Sequence, residues 1–69
     1  MWATAGQKYA GVLVKVGPVL VYQAVGSGKR RGVVVHERAL LPVNLPTAGA
    51  LVTISYPNDH DGVASVILR

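Results

Sequence analysis

Apolar residues in this chain come in short runs, mostly with a period of two, broken by glycine and proline at intervals of roughly ten residues. Val12, Val14 and Val16 alternate with Gly11, Leu13 and Lys15, which predicts a first strand over residues 8–16. Gly17-Pro18 is a turn signal, and a second apolar run predicts a strand over 19–25. Gly26-Ser27-Gly28 breaks that run, and a third strand is predicted over 33–36. Val52, Ile54 and Tyr56 share one face of a fourth strand over 51–56, and a fifth covers 63–68.

The segments between these runs exclude helices of any length. Residues 37–41 are helix-friendly, but Pro42 ends them, so at most a short 3₁₀ turn is expected there. Pro42 and Pro46 exclude a central strand over 42–49. Asn58, Asp59, Asp61 and Gly62 make the stretch 57–62 a turn-rich loop. Five short strands in 69 residues predict an all-β domain spanning 1–69, a small SH3-like barrel or roll. An OB-fold would take more chain and longer strands, and no segment offers a helical apolar stripe.

Composition narrows what such a domain can do. No cysteine is present, which excludes disulfides and thiolate metal sites and fits a cytoplasmic protein. Residues 1–5 lack the charged start and apolar core of a signal peptide, and the apolar stretch 12–25 is too short and too interrupted to span a bilayer. The hydrophobic fraction of 51% is high for so small a chain. Either an efficient core or a self-association surface uses it, and a homodimer is one route to the extra buried area.

Seven Lys and Arg against three acidic residues give a net charge of +4 and a pI near 10.0. Three of the cations, Lys29, Arg30 and Arg31, sit together between glycines in the loop joining the second and third strands. Such a loop can follow a nucleic-acid backbone and contact successive phosphates, and the same charge also serves solubility. Arg38, Lys15 and Lys8 would join the interface if they share its face. Trp2 and the three tyrosines are the aromatics. Tyr22 and Tyr56 lie in apolar strands and are expected to be half-buried in the core with their hydroxyls bonded at its rim.

The remaining candidates for chemistry are weak. His36 and Glu37 are adjacent on a strand and therefore face opposite ways, which speaks against an acid–base pair. His36 is expected to be structural, its ring bonded to a backbone carbonyl. Asp59, His60 and Asp61 could offer a weak divalent site, but the spacing of a calcium loop is missing and a turn is the better reading. Neither a catalytic triad nor a complete phosphate-binding loop is present. The expectation is a protein that is not an enzyme and uses no cofactor and no metal.

Five segments together carry a family resemblance. They are Tyr9-Ala10-Gly11, Tyr22-Gln23, Val33-Val34-Val35-His36-Glu37-Arg38, Leu40-Leu41 and Val52-Thr53-Ile54-Ser55-Tyr56. In this pattern the chain resembles the KfrB domain from about Tyr9 to Val66, with Gln23 and the His-Glu-Arg segment as its most specific parts. The basic loop is richer in cations than the family pattern, and the stretch 58–62 is longer and more acidic. The resemblance implies an accessory role in maintenance or conjugation of plasmids and other mobile elements, with no catalytic residues. Residues 52–57 are also similar to the Val-Gln-Ile-Tyr-Pro strand of type II dihydrofolate reductases. They lack its Gln and carry one extra residue, which reverses the faces of the side chains.

Two readings follow. In the first, the domain contacts DNA or RNA through Lys29, Arg30 and Arg31, helped by Arg38 and Lys15. In the second, it is an adaptor for a partner protein of the same mobile element, docked on an edge strand or on an apolar face around Leu40, Leu41, Val43 and Leu45.

Overall fold

The computed structural model of the protein describes residues 1–26, 28–58 and 62–68, with the backbone alone for Arg30. Its strands are β1 (Lys8–Val16), β2 (Leu20–Val25), β3 (Gly32–Glu37), β4 (Leu51–Ser55) and β5 (Ser65–Leu68). They form one antiparallel sheet in the order β3-β2-β1-β4-β5. The fold is all-β, as the alternating pattern predicts. The 3₁₀ turn expected before Pro42 is present at Arg38–Leu40, and a second occupies Gly28–Arg30 in the basic loop.

The sheet rolls up on itself. Leu40 follows β3 at one end of the strand order, and its carbonyl accepts a hydrogen bond from the amide of Ala64, which precedes β5 at the other end (2.8 Å). The long β1 makes the roll possible. Its first half pairs with β4 and its second with β2, Gly11 and Val12 pairing with both, and the register with β2 shifts between Leu13 and Lys15. That bulge leaves Val14 unpaired and 55% exposed, and it turns Lys15 outward opposite Tyr22.

Parity then sorts the side chains. Inward positions give Leu13, Val21, Val52, Ile54 and Tyr56, which pack with Leu41 and Ala64 as the core; Val34 is buried beside them. The stretch 40–45 was expected to offer an apolar docking face, but the roll consumes it. Leu41 is buried, Leu40 and Leu45 pack against the core, and only Val43 stands out at 88% exposed. A segment with two prolines cannot join the sheet, so it covers the open end of the core with its leucines.

Outward positions form cross-strand rows. Val33, Ala24, Val12 and Leu51 make one row across four strands, and Val35, Tyr22 and Lys15 make the next. The chain's first residues extend the second row. The amide of Val35 donates to the carbonyl of Met1 (2.7 Å), that of Ala3 donates to the carbonyl of Val35 (3.0 Å), and Trp2 bridges Val35 in parallel. Residues 1–3 thus cover the edge of β3, a pairing too short to leave a periodic signal in the sequence.

Candidate functional site

Two inward positions hold polar residues in otherwise apolar strands. Gln23 sits on β2 between Leu13 and Val34, and His36 sits on β3 opposite Val21. Both are fully buried. A buried amide and a buried imidazole must find partners or the fold loses several kcal/mol, of order 1–3 for each unmet group. Here every ring nitrogen and amide atom finds one.

The geometry fixes the protons. The side-chain nitrogen of Gln23 faces three carbonyls, those of Tyr9 (3.1 Å), Gly11 (3.2 Å) and Val52 (3.2 Å). Only an NH₂ group can do that, with its two hydrogens shared among three acceptors. Its oxygen therefore points at His36 Nε2, 2.9 Å away. An amide oxygen can only accept, so Nε2 carries the ring proton. Nδ1 is left with its lone pair and accepts from the hydroxyl of Tyr56 at 2.5 Å. The chain Tyr56–His36–Gln23 thus ends on the backbones of β1 and β4, joining four of the five strands.

Packing around this chain is aromatic. The rings of His36 and Tyr56 lie parallel, 3° apart, and Tyr9 sets its ring at 81° to both, with centroids 5.6 and 6.0 Å away. The hydroxyl of Tyr9 accepts from the amide of Thr4 (2.9 Å) at the rim. Desolvation pushes the His36 pKa down to about 4, so the imidazole is neutral at pH 7. Burial, and then the neighbouring Tyr9 and Glu37, push Tyr56 up to about 12. His36 is structural, as expected, but its partners are side chains rather than a backbone carbonyl. Glu37 is exposed on the opposite face. The sequence signal for this assembly is the inward parity of Gln23 and His36, each two residues from a buried valine.

Gly11 belongs to the same assembly. A Cβ there would lie 1.8 Å from the carbonyl oxygen of Ala24. Only a glycine lets β1 approach β2 closely enough for Gln23 to reach the carbonyls of Tyr9 and Gly11.

The basic loop is a separate feature. Gly26 and Gly28 take φ values of +78° and +58°, which turn the chain tightly out of β2 and into the Gly28–Arg30 turn. Lys29 and Arg31 are exposed on it. The other predicted cations lie elsewhere. Lys15 pairs with Tyr22 and Arg38 follows Glu37, both toward the opposite end of the β2–β3 hairpin. The guanidinium of Arg38 donates to the carbonyls of Pro42 (2.8 Å) and Val43 (2.9 Å), fastening the capping segment. Lys8 is exposed at the start of β1, toward the end of the sheet that bears the loop. Asp59, His60 and Asp61, read from the sequence as a turn in preference to a divalent site, lie outside the described residues.

The residues of the buried assembly are those of the motif. Tyr9, Gly11, Gln23, His36 and Tyr56 all fall within residues 8–67, over which the model of the KfrB Domain family matches. The chain belongs to the KfrB domain family. No curated protein and no solved structure gives a match. In this KfrB domain the Tyr-x-Gly, Tyr-Gln and His-Glu-Arg segments converge on one hydrogen-bonded core, and the most basic loop lies outside them. No helix among the described residues is long and apolar enough to cross a membrane.

Proposed function

We propose that this KfrB domain is a non-catalytic accessory module of a plasmid or other mobile element, acting in the cytoplasm and binding nucleic acid through the loop between β2 and β3. The observation that carries the reading is the projection of Lys29 and Arg31 from a glycine-framed turn at one end of the hairpin, with Arg30 between them in sequence. Cations on such a turn meet phosphates without desolvating a core, and binding is mainly independent of sequence. The non-catalytic reading is supported by His36, whose ring nitrogens are both engaged in the buried chain.

A second reading is kept because of one observation. β5 is the far edge of the sheet, and Ile67 and Leu68 on it are 61% and 64% exposed. An adaptor would use that edge to pair with a strand of a partner protein or of a second copy.

Substituting Lys29, Arg30 and Arg31 together with alanine tests the first reading. Binding to DNA and RNA is expected to fall by tenfold or more at low salt. Arg38→Ala serves as the control: it frees two carbonyls and lowers stability by about 1 kcal/mol, leaving binding unchanged. Unchanged binding in the triple variant refutes the loop assignment. Retained binding in that variant together with lost binding in Arg38→Ala moves the interface to the other end of the hairpin.

A further inference from the structure

The outward face of β2 and β3 holds a feature that charge alone does not explain. Trp2, Val35, Tyr22 and Lys15 stand side by side in one cross-strand row. Bridge partners project to the same face of a sheet, so Trp2 and Tyr22 flank Val35 on the outside. Trp2 is 58% exposed, yet its backbone is held from both sides by the bonds of Met1 and Ala3 to Val35. An exposed indole on a fixed backbone has already lost part of the freedom that ligand binding would cost.

From these observations we infer that the row is a stacking platform for single-stranded nucleic acid. Strands lie about 4.8 Å apart, which places Trp2 and Tyr22 on the order of 10 Å from each other, within reach of two bases of one strand. Lys15 ends the row and offers a phosphate contact. The neighbouring row of Val33, Ala24, Val12 and Leu51 gives an apolar path along the hairpin, and its members other than Ala24 are 40–46% exposed. Arg31 stands beyond it, four residues from Val35, or roughly 13 Å along an extended strand, and Lys29 lies in the turn before it. Glu37, two residues past Val35 on the same face, borders the other side and repels phosphate there. The charges therefore set the path of the strand, from the aromatic row toward the basic loop. Paired bases hide their faces inside a duplex, so this surface selects single strands.

The inference rests on the nucleic-acid reading above, and the experiment separates the two. Trp2 is the sole tryptophan, so its fluorescence reports this row alone. The protein is titrated with oligothymidylate and oligouridylate of about a dozen nucleotides, a usual site size, and with a duplex of equal length. Quenching of Trp2 by the single strands and weaker binding of the duplex are expected. Trp2→Ala and Tyr22→Leu should each weaken single-strand binding about tenfold and leave duplex binding as it was. Trp2→Ala changes an exposed side chain and carries the test alone if the Tyr22 variant fails to fold.

Anisotropy showing binding with no change at Trp2, or wild-type affinity in Trp2→Ala, overturns the platform and leaves the loop reading standing. Single-strand binding with full Trp2 quenching in the Lys29, Arg30 and Arg31 triple variant overturns the loop reading and upholds the platform. Absence of binding to every nucleic acid at low salt overturns both. Polyglutamate that binds and quenches Trp2 as well as the oligonucleotides do would assign the row to an acidic polypeptide and overturn the inference.

Discussion

His36 sets the residue-scale behaviour of this domain. It is the one link between Gln23 and Tyr56, and no hydrocarbon can replace it. His36→Leu keeps the volume roughly constant but leaves the Gln23 oxygen and the Tyr56 hydroxyl unmet. A loss of about 3 kcal/mol is expected in urea unfolding. Tyr56→Phe removes one hydroxyl and should cost less, about 1–2 kcal/mol. A His36→Leu domain as stable as the wild type would show that the chain of hydrogen bonds contributes nothing.

The same histidine predicts a pH dependence. Its pKa is about 4 in the folded protein against 6.5 ordinarily. Below pH 6.5 the unfolded chain takes up a proton that the folded protein refuses, so stability falls as pH drops from about 6.5 to about 4. The change levels off below that, and its full extent is about 3 kcal/mol. Thermal unfolding followed from pH 7 to pH 4 checks it. In His36→Leu this component of the slope should vanish, and a slope as steep as the wild type's would assign it to another group.

At the scale of elements, Gly11 is the point where β1, β2 and β4 meet. Gly11→Ala forces a methyl group against the Ala24 carbonyl, and the variant is expected to unfold or to lose more than about 3 kcal/mol. Gly32→Ala is the matched control. Nothing lies within 4 Å of a Cβ at that position, and stability should change by less than about 0.5 kcal/mol. Circular dichroism and melting of the pair decide the point, and equal effects would remove the close-approach argument.

Strands were the legible part of this chain, because alternation leaves a direct trace. The strand predicted over 8–16 coincides with β1, and the ends of β2, β3, β4 and β5 differ from expectation by one or two residues. What the alternation did not show depends on contacts between distant segments. Residues 1–3 pair with β3 through three main-chain hydrogen bonds that any side chains could permit. The leucines at 40, 41 and 45 look like a surface patch in sequence, and only the rolling of the sheet turns them into a lid on the core. Gln23 and His36 were legible as members of a family motif, but the inward parity of Gln23 was not, since the apolar pattern put Tyr22 in the core and Tyr22 instead faces outward beside Lys15 and Val35. Nor was their partnership, because it needs β2 and β3 in register.

For the whole molecule, the distribution of charge matters more than its sum. The cations whose side chains are described do not form one surface. Arg38 is committed to backbone carbonyls, Lys15 ends the aromatic row, and Lys29 and Arg31 crown the loop. The buried assembly gives the hairpin a rigid base, with four strands tied through Gln23 and His36, and the exposed Lys29 and Arg31 lie outside it. The central proposal is that the basic loop, apart from this core, binds nucleic acid.

A salt series measures it most directly. Binding of the wild-type domain and of the Lys29, Arg30 and Arg31 triple variant to single- and double-stranded DNA and to RNA would be followed by fluorescence anisotropy. The wild type is expected to bind in the micromolar range at low salt, with a log–log slope corresponding to about two to four phosphate contacts. The triple variant should lose most of that slope while keeping the same melting temperature. A slope near zero, or the same slope in both proteins, would contradict the account and leave the positive charge as a solubility feature.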